Sequence, residues 1–245
     1  MNTPTPRPGW IAQVQGHGFD LAYWEQSLKP PFDPVCERIP HGDGTVWGLR
    51  SATFDQLQSA EEVRAQAIIM IARLNGALRA QCGAEPLTLQ GVARIDDSGN
   101  FHFSVFLEAH ARARSMVTGT IEARDADGNL VPPPPPEPSQ AQRWVQVAEQ
   151  NDDVGDMLIF AGRAEDWFDI YKALELAQSL AGGRPGRKLN ALLGGASDEF
   201  ERMWRTANMH RHARSKDPPT IPIPLAEAMS LLPFVIRSLL AHLVP

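Results

Sequence analysis

The chain has 245 residues, of which 43% are hydrophobic and 21% charged; 23 Lys and Arg face 29 Asp and Glu, for a formal net charge of −6. Such a composition can bury real cores, and it excludes a disordered chain and a uniformly basic nucleic-acid binder. The two cysteines, Cys36 and Cys82, lie far apart without a CxxC partner, which argues against a disulfide framework or a zinc site and for a reducing, cytoplasmic setting.

In chain order, "MNTPTPRPGWIAQV" has no basic stretch followed by an apolar one, so no secretory signal is expected. "WIAQVQ", "DPVCERI" and "TVWGLRSATF" carry β-branched or aromatic residues between Pro and Gly clusters and predict strands. "HGDG" at 41–44 is a turn signal. "SAEEVRAQAIIMIARLNGALRAQCG" then predicts one long helix. Ser59 and Glu62 form a capping box, Val63, Ala67, Ile71, Leu74 and Leu78 recur at helical spacing, and Gly83 suits the position after the last turn. Strands are expected at about 87–96, 100–109 and 114–124, with "DDSGN" as the hairpin turn between the first two and "ARDADGNL" closing the sheet. Residues 1–131 thus read as an α+β domain, an antiparallel sheet with one long helix.

"PPPPPEPSQ" (132–140) is a stiff polyproline spacer, and it doubles as a docking peptide if a protein partner recognises it. Beyond it the pattern is helical. "SQAQRWVQVAEQ" is followed by "DDVGDMLIFAG", with Asp152 or Asp153 as N-cap, and by "AEDWFDIYKALELAQSLAGG", ended by its two glycines. "GGRPGRKLNALLGG" reads as a Gly-rich connector; it does not match a phosphate-binding loop and follows a helix rather than a strand. "SDEFERMWRTANMHRHARS" is capped by Ser197 or Asp198, "DPPTIPIP" cannot be helical, and a last helix begins near Leu225. Its stretch "LAEAMSLLPFVIRSLLAHLV" approaches a membrane span in length, but Glu227, Pro233, Arg237 and His242 interrupt it, so a buried or amphipathic helix and no membrane contact are expected. Residues 141–245 read as an all-α helical bundle of about five helices.

The chemistry-bearing run is "FERMWRTANMHRHARS" (200–215), with two histidines, one asparagine and four arginines. With Arg205 as origin and about 100° per residue, Asn208, His212 and Glu201 fall within about 60° of it and make one polar stripe. Phe200, Met203, Trp204 and Ala207 take the opposite, core-facing side, and His210 and Arg211 sit on the borders. Such a stripe is either the wet side of a surface helix or a functional face. Arg, Asn and His suit phosphate binding and proton transfer near neutral pH better than the Lys, Glu and Gln of a generic wet face.

The helix "WFDIYKALELAQ" followed by a later helix with an Arg-x(4–6)-His pair resembles the HEPN superfamily of small α-helical domains, over about the last 100 residues. Many HEPN domains are dimeric, metal-independent ribonucleases of toxin, defence and RNA-processing systems; others are inactive binding or dimer modules. The resemblance implies catalytic roles for Arg205 and for His212 or His210, with the stripe geometry favouring His212. His212 would act as general acid or base on the 2′-OH or the leaving 5′-oxygen, Arg205 would neutralise charge on phosphorus, and Asn208 would orient the histidine or hold the phosphate. Arg202, Arg211, Arg214 and Lys216 would attract the RNA backbone. Thr206 stands where active members commonly have Asn, Asp or His, and Glu175 is a candidate acidic partner. No cofactor or metal is implied, since two ligands spaced as His210 and His212 face opposite ways on a helix.

Other features take structural readings: His102 and His110 as strand-end histidines, Asp96 and Asp97 as turn residues, and Trp167, Phe168 and Tyr171 as core rather than a base-stacking platform. The leading expectation is RNA binding or metal-independent RNA cleavage. Its rival is a non-enzymatic dimerisation or interaction module, or a subunit of a larger complex, engaged through the N-terminal domain or the proline run. A third reading, small-ligand binding by the α+β domain, expects a pocket between the sheet and the 60–82 helix.

Overall fold

Alternation of apolar and polar residues, interrupted by turn signals, builds the N-terminal half. The computed structural model describes residues 7–42, 44–105, 135–182, 187–211, 219 and 221–244. Five antiparallel strands, β1 (Gly9–Gln15), β2 (Val35–His41), β3 (Gly44–Arg50), β4 (Thr88–Ile95) and β5 (Phe101–Val105), form one sheet in the order β2-β3-β1-β4-β5. Because side chains alternate in facing, the sheet feeds two cores. Ala12, Val14, Cys36, Leu49 and Val92 join the main core; Ile11, Ile39, Ala93 and Ile95 pack on the other face with Val46 and Phe101. The sheet curls until its edges approach: the His41 ring of β2 lies 4.8 Å from Phe101 and 4.9 Å from Phe103 of β5.

Local chemistry shortens one expected strand and adds a helix. "TVWGLRSATF" leaves the sheet after Arg50, because the Ser51 hydroxyl accepts from the Thr53 amide (3.2 Å) and caps a short helix, α2 (Ala52–Asp55). The same hydroxyl donates to Asp33 at 2.8 Å. A ten-residue helix that the sequence reading did not anticipate, α1 (Gly18–Ser27), precedes β2; it is capped by the His17 ring and buries Asp20, Leu21 and Trp24. The β4–β5 hairpin turns at Asp96–Asn100 as expected, its Asp96 carboxylate accepting from the amides of Ser98 and Asn100. Those amides, chiefly that of Asn100, together with His102, hold the Asp96 pKa down at about 2. The strand expected at 114–124 and the "ARDADGNL" turn lie outside the described residues, as does the end of the strand expected to 109.

The long helix α3 (Ala60–Cys82) carries the expected Ser59–Glu62 capping box and ends at Gly83 in the left-handed conformation (φ 73°). One of its faces, with Val63, Ala67, Ile71, Leu74 and Leu78, is buried against the sheet side. Another meets α5 (Asp152–Arg163) at two glycines: a Cβ on Gly76 would stand 2.0 Å from the Leu158 carbonyl oxygen, and one on Gly162 2.6 Å from the Gly76 amide nitrogen. Only glycine permits backbones this close. The cap of α5 is Asn151, not Asp152 or Asp153.

The proline run marks a change of pattern but not a break in packing: the main core runs continuously from Ala12 to Leu240. Just after the prolines, α4 (Gln140–Gln150) is capped by Ser139 and docks on the N-terminal half. Its buried Gln142 amide donates toward the carbonyls of Lys29, Phe32 and Pro34 at 3.1, 3.1 and 3.0 Å. The remaining helices are α6 (Trp167–Leu180), α7 (Arg187–Leu193), α8 (Ser197–Arg211) and α9 (Leu225–Leu243). Here α7 occupies the stretch read as a connector. The α+β class with an antiparallel sheet, one long helix and a helical C-terminal half is observed. By length and composition α9 is apolar enough to cross a membrane; one of its faces, with Ala228, Leu232, Val235, Ile236, Leu239 and Leu240, is buried in the core.

Candidate functional site at the α6–α8 edge

The polar face of α8 is placed by its apolar face: Phe200, Met203 and Ala207 are buried, which turns Arg205 and Asn208 outward. Thr206 is buried too, and its hydroxyl works twice. It donates to the Arg202 carbonyl (2.8 Å) and accepts from the Ile223 amide (3.1 Å), pinning the chain before α9 onto α8.

Each of the α8 arginines among the described residues is held by a carboxylate of the fold. Arg205 donates to Glu201 one turn earlier, at 2.8 and 3.2 Å. Arg202 reaches across to Glu227 of α9. Arg211 binds the Glu175 carboxylate of α6 (3.2 Å) and the Tyr171 hydroxyl, with its guanidinium 4.4 Å from the Tyr171 ring centroid. Tyr171 in turn donates to Glu175 at 3.1 Å, and Lys172 donates to the other Glu175 oxygen at 2.9 Å. Burial raises the Glu175 pKa, but the Lys172 and Tyr171 hydrogen bonds and the charges of Lys172 and Arg211 outweigh it, so the carboxyl lies below its ordinary value.

Aromatic rings line the same edge. Trp204 stacks on Tyr171 at 5.1 Å, and His210 lies parallel to Trp167 at 5.0 Å and 4°. Phe168, next on α6, is 54% exposed, with Phe160 edge-on to it and the Arg163 guanidinium over the Phe160 ring. The core reading therefore holds for buried Tyr171 and fails for Phe168, because Trp167 and Phe168 open α6, where the bundle no longer covers it. Neither His210 nor the aromatic edge was legible as a pairing: it depends on α6 and α8 crossing, which no local spacing encodes.

Of the residues expected in catalysis, Arg205 and Asn208 share the outward face, whereas His210 turns to α6; His212 lies outside the described residues. Of those expected to contact RNA, Arg202 and Arg211 bridge to neighbouring helices; Arg214 and Lys216 lie outside the described residues. Among the described residues no three His, Cys, Asp or Glu side chains are grouped to hold a metal. A pocket of about 500 Å³ opens elsewhere, between the end of α3 and α9, and no α8 residue lines it. No protein-family model, curated protein or solved structure matches the chain.

Proposed function

We propose that the chain is a non-enzymatic interaction module whose α6–α8 edge receives a protein partner. One observation carries the reading: Arg202, Arg205 and Arg211 are each bound by a carboxylate of the fold, Glu227, Glu201 and Glu175, the last shared with Lys172. Attraction to a polyanion depends on uncompensated positive charge. What the edge offers instead is ring surface and paired charge: Phe168, Trp167 and His210, with Arg163 and Arg211 beside them. Trp, Tyr and Arg within a paired-charge surround are the side chains that dominate protein–protein contact energies.

A second reading, RNA contact at the same edge as the HEPN resemblance implies, is favoured by the flat His210–Trp167 stack and exposed Phe168, on which bases could stack. One experiment separates the two. A photo-crosslinker beside Phe168 captures the partner, which is then purified and its affinity measured; in parallel, labelled RNA is offered in EDTA. The interaction reading expects Phe168→Asp to weaken the reconstituted protein complex about tenfold or more while Ile221→Asp, at another exposed site, leaves it intact. RNA cleavage that leaves cyclic-phosphate ends and disappears in Arg205→Ala would overturn it in favour of the nuclease.

A further inference from the structure

We propose that the pocket between the C-terminal end of α3 and α9 is a binding site for a small amphiphilic carboxylate. The site is independent of the α6–α8 edge. Its volume, about 500 Å³, lies in the range of small-molecule sites. The α9 wall supplies Met229, Pro233 and Phe234, an apolar surface with one polarizable side chain and one ring.

Two features make the pocket more than an apolar dent. Arg237 lines it with its guanidinium 5.9 Å from the Phe234 ring centroid, and no carboxylate among the described residues pairs with it. It contrasts with the three α8 arginines, each of which has its acid. An unpaired guanidinium over an aromatic floor presents donors to a carboxylate while the floor takes the carbon chain. The second feature is Pro233 inside α9. It has no N–H to return to the carbonyl of residue 229, one turn earlier, and both residues line the pocket. That carbonyl is an acceptor for a hydroxyl or amine elsewhere on the ligand.

The opposite wall sets the charge. Arg79 is fixed there by hydrogen bonds to the carbonyls of Ala161, Gly162 and Ala164 (3.3, 3.4 and 3.2 Å), and Glu85 stands on the same side. The Arg79 and Glu85 charges offset each other on that wall, so the pocket's net charge is that of Arg237, which favours a monoanion over a dianionic phosphate. A carboxylate bearing a chain of several carbons fits the charge, the floor and the volume together.

Octanoate, octanol and octylamine are the probes, titrated against the whole chain while the Met229 methyl resonance is followed. Octanoate is expected to saturate and to bind about tenfold tighter than octanol, a single charge-assisted contact's worth. Octylamine is expected to bind more weakly than either. Arg237→Gln, at an exposed position, should bring octanoate to the octanol level and leave octanol unchanged. Equal octanoate binding in that variant, tighter binding of octylamine, or no saturation by octanoate below about 10 mM would each overturn the assignment.

Discussion

At the α3–α5 junction two helices meet backbone to backbone; at the α6–α8 edge two helices meet through long side chains. Gly76 and Gly162 leave no room for a methyl group where the first pair crosses. The second pair is spanned by the side chains of Arg211, Glu175, Tyr171 and Trp204. The difference teaches where this fold tolerates change. Close-packed backbone cannot yield to an added atom, whereas partly exposed side chains such as Arg211 and Glu175 re-orient in water at small cost. The first region therefore fixes the architecture and joins the sheet to the bundle, and the second tolerates rearrangement of its exposed side chains.

The α3–α5 junction is most sensitive at Gly76. In an unconstrained helix interior Gly→Ala stabilises by about 1 kcal/mol. At Gly76 the new Cβ would stand 2.0 Å from a backbone oxygen, so Gly76→Ala is expected to cost about 3 kcal/mol or more in urea denaturation. A more stable variant would mean that the helices do not touch there. The next effect in size is at Gln142, which ties α4 to the 29–34 loop. Replacement by Leu leaves the carbonyls of Lys29, Phe32 and Pro34 without this donor and should cost about 2–3 kcal/mol. A loss below about 0.5 kcal/mol would show that the Gln142 contacts contribute little to holding the two halves together.

Thr206→Val comes third and tests the α8 side. The substitution keeps the branched shape and removes only the hydroxyl, so the buried Ile223 amide loses its acceptor. About 1–2 kcal/mol is expected, read from the same denaturation experiment, with the 221–224 segment losing amide-exchange protection before α8 does. Equal loss of protection along both would mean that the segment is not separately anchored.

What could be read in advance follows the same division. The body of α3 was legible because capping and burial are local: Ser59, Glu62, the Val63–Leu78 series and Gly83 all fall within one segment. The class of fold was legible for the same reason. The helix α1 was hidden because its cap is a histidine ring, His17, set between Gly16 and Gly18, so its start carried no ordinary signal. β3 seemed longer than it is because "SATF" suits a strand until Ser51 turns its hydroxyl to the Thr53 amide. The core shared by the two halves was not legible, since Gly76 and Gly162 look like helix-weakening residues until the partner helix is known. In the candidate site the outward face of Arg205 and Asn208 could be read from the helical period. The carboxylates that restrain Arg202 and Arg211 could not, because Glu227 and Glu175 come from other helices.

The smallest effect expected is at Glu175, and its sign depends on pH. The Glu175 carboxyl is held below its ordinary pKa of 4.5 despite the opposing effect of burial, through Lys172, Tyr171 and Arg211. A group whose folded pKa is depressed stabilises the fold above its unfolded pKa, and that stabilisation is lost as pH falls through the folded value. Glu175→Gln should therefore be less stable than the parent at neutral pH and should converge with it in acid, below the usual carboxylate range. About one-third of the side chain is exposed, so solvent screening keeps the neutral-pH difference under about 1 kcal/mol. Urea denaturation of both proteins at about pH 7 and about pH 3 measures the two differences. A gap of equal size at both pH values would assign the loss to packing around Tyr171 rather than to charge. The α6–α8 edge would then be held by close packing, as the α3–α5 junction is, and the contrast between the two regions would fall.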